Sequence, residues 1–144
     1  MATTYPLTNG ASQAPGKAWN VVLWLAQLLL AVPFGMAGLM KSVQPIEEIG
    51  KMIVWAPEMP GLVRFIGVSE LAGALGLLLP ALTRIRPGLT PLAAAGLALI
   101  MVLAVGFHVM RGEFADTPIN FVLGGIALFI VWGRTKKAPI AARG

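Results

Sequence analysis

One carboxylate in this chain demands a chemical explanation. Glu70 stands within IGVSELAGALGLLLPAL (66–82), a run with no other ionisable residue. A carboxyl group in such a setting serves to exchange protons or to hold a buried cation. An ionisable group at the centre of a lipid-spanning helix costs about 2.5–3.5 kcal/mol on insertion scales, so Glu70 must face other protein groups, be protonated, or have a partner. Arg64 is six residues away, on a different face of a 100° helix, so the partner must come from another segment. Lys41, His108 and Asn120 are the polar residues placed to meet it. Lysine and histidine supply donors for a ligand carbonyl, and asparagine both donates and accepts. Each residue also has a plainer reading: a protonated structural carboxyl at Glu70, a span-end anchor at Lys41, a snorkelling boundary residue at His108, a packing hydrogen bond at Asn120. The absence of cysteine excludes disulfides, thiolate nucleophiles and iron–sulfur clusters, and a single histidine excludes a haem held by two histidines of one chain. No GxGxxG, Walker A, HExxH or metal-ligand cluster occurs, so no metal is expected.

The elements that must position these residues follow from composition. The chain has 144 residues, 57% apolar and 12% charged, whereas soluble domains average about 45–50% apolar and about 25% charged. So few polar groups cannot cover so apolar a chain in water, and lipid is its natural solvent. Crossing about 30 Å of hydrocarbon takes about 20 apolar residues in a helix, and four stretches qualify: 21–40, 62–82, 89–110 and 117–132. The first carries Gln27 and a mid-span Pro33, expected to kink it by freeing the Leu29 carbonyl. The last is the shortest and needs 114–116 or a thinned bilayer to complete its crossing. A cleaved signal peptide is a poor reading of the first stretch, because the apolar run continues past the small residues at 35–37.

The chain therefore reads as all-α, an integral membrane four-helix bundle over 19–134, between a disordered tail at 1–18 and a basic tail at 135–144. In a four-span arrangement one side holds Lys17, Arg84, Arg86, Arg134, Lys136, Lys137 and Arg143 with no acid. The other side holds Lys41, Lys51, Arg64 and Arg111 with all six acids. The positive-inside rule then places both termini in the cytoplasm, with Trp19 and Trp132 at that boundary and Trp55 at the opposite one. The basic residues flank spans and form no stripe with interleaved aromatics, so no nucleic-acid partner is expected. Ile46, Ile49, Met52 and Ile53 recur at helical spacing in the outer segment, which reads as an interfacial connector in preference to a lid over a site. Small residues at Ser69/Gly73, Ala72/Gly76, Ala94/Ala98 and Gly124-Gly125 suit close helix packing.

Helical rise puts Glu70 about 9 Å below the interface marked by Arg64 and Arg111, and His108 about 4–5 Å below it. Side chains lean toward the amino end of their helix, so Lys41 and His108 tilt inward while Glu70 tilts outward. A polar pocket in the outer half of the bundle is expected, with Glu70 at its base.

GLMK at 38–41, the run at 66–82, LTPLAAAGLALIMVLAVGFHVMRGE at 89–113 and the segment 120–134 resemble the DoxX and DoxX-like family of small four-span bacterial membrane proteins. The resemblance covers nearly all of 19–134 and implies multi-pass insertion in the bacterial cytoplasmic membrane. The family takes its name from a subunit of an archaeal thiosulfate:quinone oxidoreductase, and related proteins join oxidative-stress complexes with soluble partners. It implies that Lys41, Glu70, His108 and Asn120 are the polar site residues. Three functions compete. In the first the chain is a quinone-interacting membrane subunit of an oxidoreductase, in which Glu70 exchanges a proton while Lys41, His108 and Asn120 contact the quinone, no cofactor is covalently bound, and a soluble partner supplies electrons. In the second it is a non-catalytic anchor for such an enzyme. In the third it is a small proton-coupled transporter, completed by a homo-oligomer. Whether the chain is itself an enzyme stays open.

Overall fold

The computed structural model describes residues 16–144. Four long helices are each apolar and long enough to cross a membrane. They are α1 (Lys17–Val43), α3 (Pro60–Thr83), α4 (Leu89–Arg111) and α5 (Thr117–Trp132), with a five-residue helix α2 (Ile46–Gly50) between the first two. The tail expected at 1–18 lies outside the described residues up to 15, and α1 is already helical from Lys17.

The helix ends follow local chemistry. Pro60 opens α3 and Pro118 sits in the first turn of α5, where a missing N–H costs nothing. α1 runs continuously through Pro33 and stops at an extended Gln44 before Pro45. α4 ends at Gly112, whose φ of 75° is one that glycine adopts without strain. There the Glu113 N–H returns to the His108 carbonyl at 2.8 Å and the Gly112 N–H to Val109 at 3.1 Å, a Schellman-type closure. The short fourth span is extended at both ends, by a 3-10 turn at Phe114–Asp116 and a π turn at Gly133–Lys137. The apolar helix thereby reaches 24 residues, enough for about 36 Å of rise.

α1 packs on α3, α3 on α4 and α4 on α5, which closes back against α1. The interior is apolar in the middle, built from Leu30, Phe34, Leu77, Leu97, Met101 and Ile130. Leu25, Val32, Met36, Phe65, Val68, Leu92, Val102 and Leu128 face outward. Helices apolar on both faces suit a lipid surround. At one end Trp19, the start of the bundle, stacks edge-on with Trp132, 5.4 Å between ring centroids, and the Arg143 N–H reaches the Arg84 carbonyl at 2.9 Å. The beginning of α1, the α3–α4 turn and the carboxyl tail therefore share that end. At the other, Trp55 meets Phe107 at 4.8 Å.

The tightest crossing is between α1 and α3. A Cβ on Gly38 would stand 2.6 Å from the Leu71 backbone nitrogen, and one on Gly67 would stand 2.7 Å from Lys41 Cβ. Gly73 against Leu97, Gly76 against Ala93 and Gly124 against Met101 repeat the device on other helix pairs. We expect Gly67→Ala to destabilise the bundle by about 1–3 kcal/mol through overpacking. Gly125→Ala, with nothing within 4 Å of the added methyl, should not destabilise it. Detergent-denaturant unfolding followed by tryptophan fluorescence distinguishes the two, and equal effects would contradict the crossing.

Candidate functional site

The Gly38/Gly67 approach sets the site. It brings the last turn of α1 so close to α3 that Lys41 Nζ donates to both Glu70 carboxylate oxygens at 2.8 Å. Little of either group is exposed, 15% of the lysine side chain and 5% of the glutamate. Arg64 is engaged elsewhere: its two terminal nitrogens donate to the Lys41 and Gln44 carbonyls at 2.7 and 2.6 Å. A helix leaves its last four carbonyls without partners, so Arg64 both caps α1 and fixes the backbone that carries Lys41. Glu70's partner thus comes from another helix, and Arg64 serves the same junction through the backbone.

Lys41, Glu70, His108 and Asn120 all line one cavity of about 270 Å3. Its other walls include Ile66, Met101, Ala104 and Phe107, with Trp55 supplied by the segment between α1 and α3. That segment is more than a connector. Ile49 is fully buried and packs with Trp55, Ala56 and Val63 against Phe107, while Met52 faces outward at 70% exposure. The hollow also reaches Phe65 and Leu103, which are exposed on the outer faces of α3 and α4. An adjoining hollow of about 380 Å3 shares Lys41, Trp55, Ile66, His108 and Asn120 and extends to Glu113 and Asp116.

The four polar residues share a cavity, but their hydrogen bonds divide them into two sets. Glu70 is bonded to Lys41, whereas His108 Nδ1 lies 2.8 Å from Glu113 Oε2 and the Asn120 side-chain amide donates to the Asp116 carbonyl at 3.1 Å. The turn at Gly112 brings Glu113 back onto His108. An ionised carboxylate only accepts, so His108 Nδ1 carries the hydrogen and Nε2 is left to donate or accept according to the ring's charge. Among the described residues Nε2 has no hydrogen-bond partner. Arg111 Nε donates to the other Glu113 oxygen at 2.8 Å and an Arg111 terminal nitrogen reaches Glu58 at 3.4 Å. His108, Glu113 and Asp116 lie with one ligand atom each within 4.8 Å of one another, a grouping invisible as a sequence spacing. Both Glu113 oxygens are already taken by Arg111 and His108.

A second polar cluster went unrecognised in the sequence. Arg134, read there only as a topology determinant, is 3% exposed. Its Nε donates to Gln27 Oε1 at 2.6 Å, and Gln27 Nε2 donates to the Leu77 carbonyl at 2.7 Å. The signal available was depth: Gln27 and Arg134 sit toward the same end of neighbouring helices, and each needs a partner in an apolar setting.

The Glu113 carboxyl is held below the ordinary carboxylate value of 4.5, first by the hydrogen bond from Arg111 and then by that from His108. A lowered folded value means that its contribution is complete above the ordinary value and is lost as pH falls through the folded one. Hydrogen exchange at 112–116 should therefore accelerate only below about pH 4.5, and Glu113→Gln should abolish that acid-dependent step. A step of equal size in the variant would contradict the assignment.

Comparison with curated proteins and with solved structures found no match. Comparison with protein families matched residues 25–130 to the DoxX-like family. That match and the four apolar helices point to a multi-pass membrane protein. Because it takes in most of all four long helices, together with Lys41, Glu70, His108 and Asn120, the chain belongs to the DoxX-like family.

Proposed function

We propose that the cavity receives the head group of a lipid-soluble quinone and that the chain is the quinone-interacting membrane subunit of an oxidoreductase. The observation that carries this reading is a buried ion pair, a histidine and an asparagine in a mostly apolar cavity that reaches outward-facing residues of α3 and α4. Ligand pockets of this kind join apolar walls to a few placed donors and run from about 300 Å3 upward. The cavity and its adjoining hollow together supply that room. Flat aromatic walls at Trp55 and Phe107 suit a ring.

A quinone, when bound, supplies two-electron, two-proton chemistry. The chain's own groups bind, orient and move protons. Lys41 Nζ is a donor for a carbonyl oxygen, and His108 Nε2 becomes a second donor when the ring is protonated. A proton arriving on Glu70 weakens its hold on Lys41 and frees the ammonium to donate into the cavity. Glu113 keeps the His108 ring oriented. Without cysteine the chain has no thiol or iron–sulfur centre, and in this reading a soluble partner brings the electrons. In this reading both termini face the cytoplasm of a bacterial cell and the cavity lies in the opposite half of the membrane, an orientation the charge asymmetry supports.

The anchor reading is favoured by a different observation, the exposed apolar side chains Met52, Val54, Met110 and Phe114 around the cavity end. Purification in mild detergent, followed by extraction and mass spectrometry, separates the two. Near-stoichiometric quinone is expected with the native chain and is expected to be lost from an equally helical Glu70→Gln, His108→Ala variant. No quinone with either protein would overturn the proposal in favour of the anchor.

A further inference from the structure

The end of the bundle that holds the start of α1 and the carboxyl tail carries a charge problem of its own. Arg134 is buried, and its partners are neutral: Gln27 through Nε, then Asn20 Oδ1 at 2.8 Å and the Ala138 carbonyl at 3.1 Å through one terminal nitrogen. The second terminal nitrogen is buried with no partner among the described residues. No acidic side chain neutralises it locally, because Glu47, Glu48, Glu58, Glu113 and Asp116 lie at the opposite end and Glu70 is bound to Lys41. A buried cation without a counter-ion is strongly destabilising.

Asn20 and Ala138, the groups bonded to Arg134, form part of the wall of a cleft of about 420 Å3. Trp24, whose ring lies 5.7 Å from the Arg134 guanidinium, lines it too. Lys17 and Arg84, both exposed, stand at the same cleft. α1 begins there, 27 residues long and with no side-chain cap among the described residues, so its first N–H groups add positive potential. The remaining wall, at Ala81, Pro139 and Ile140, is apolar. Two accessible cations, a buried third, a helix start and an apolar flank describe a receptor for a phosphate group attached to something greasy.

We infer that this cleft binds the phosphate of an anionic phospholipid from the leaflet on the side of the α1 start and the carboxyl tail. Lys17 and Arg84 contact the phosphate oxygens, the Arg134 charge acts through Asn20, and Pro139 and Ile140 lie against the lipid's apolar part. The inference is independent of the quinone reading, which concerns the other end of the bundle.

The full chain in non-ionic detergent, its thermal unfolding followed by tryptophan fluorescence, provides the test. Phosphatidylglycerol is expected to raise the midpoint by about 4 °C, phosphatidylcholine is not, and the difference should vanish in Lys17→Gln, Arg84→Gln, two exposed positions whose change leaves the helical content intact. Native mass spectrometry of the unaltered chain in mixed micelles should show selective retention of phosphatidylglycerol, and needs no variant. The same stabilisation from inorganic phosphate alone would make the ligand a free anion and overturn the lipid assignment. Equal responses to the two lipids, or an undiminished response in the variant, would overturn the site altogether.

Discussion

Two opposite charges held together inside a bundle with an apolar exterior constrain the rest of this molecule. Lys41 and Glu70 are held 2.8 Å apart, and desolvating either alone would cost several kcal/mol. They meet because Gly38 and Gly67 let two backbones approach to distances that a methyl group would forbid. Arg64, by capping the Lys41 carbonyl, holds the end of α1 in register with α3. The ion pair, the glycine crossing and the arginine cap form one junction, and the cavity is the space left beside it when α4 and α5 complete the bundle.

The polar groups are distributed in two separated sets. One surrounds the cavity at the end covered by Trp55, and the other surrounds Arg134 at the end where α1 begins and the carboxyl tail lies. Between them the interior is a continuous apolar layer of Leu30, Phe34, Leu77, Leu97 and Ile130. Such a layer presents apolar side chains between the two sets, and under the proposed function Glu70 exchanges its proton with the cavity's own side. This arrangement suits a site that serves a membrane-dissolved ligand from one side better than a conduit through the bundle.

Much of this was legible in the sequence because the bilayer imposes simple rules. Four apolar runs became four helices with ends shifted by a few residues, and the need of Glu70 for a partner on another helix followed from six-residue spacing to Arg64 and from the direction in which side chains lean. Other features depend on turns that hydropathy does not encode. Glu113 is three residues beyond the end of the third expected span, and only the left-handed turn at Gly112 carries it back to His108. The Gly38/Gly67 contact was hidden because those glycines lie in different helices, whereas the pairs picked out by spacing lie within one. Arg134 looked like a flanking charge until the π turn at Gly133–Lys137 directed it inward to Gln27.

The central claim is that Lys41 and Glu70 act as one unit, and a double-mutant cycle in detergent tests it most directly. Unfolding free energies of Lys41→Met, Glu70→Gln and the combined variant would be compared with the native chain. The account predicts that each single change costs about 3–5 kcal/mol by stranding a buried group, and that the combined variant costs less than the two together, with a coupling of at least about 1 kcal/mol. Strict additivity of the two changes would contradict it.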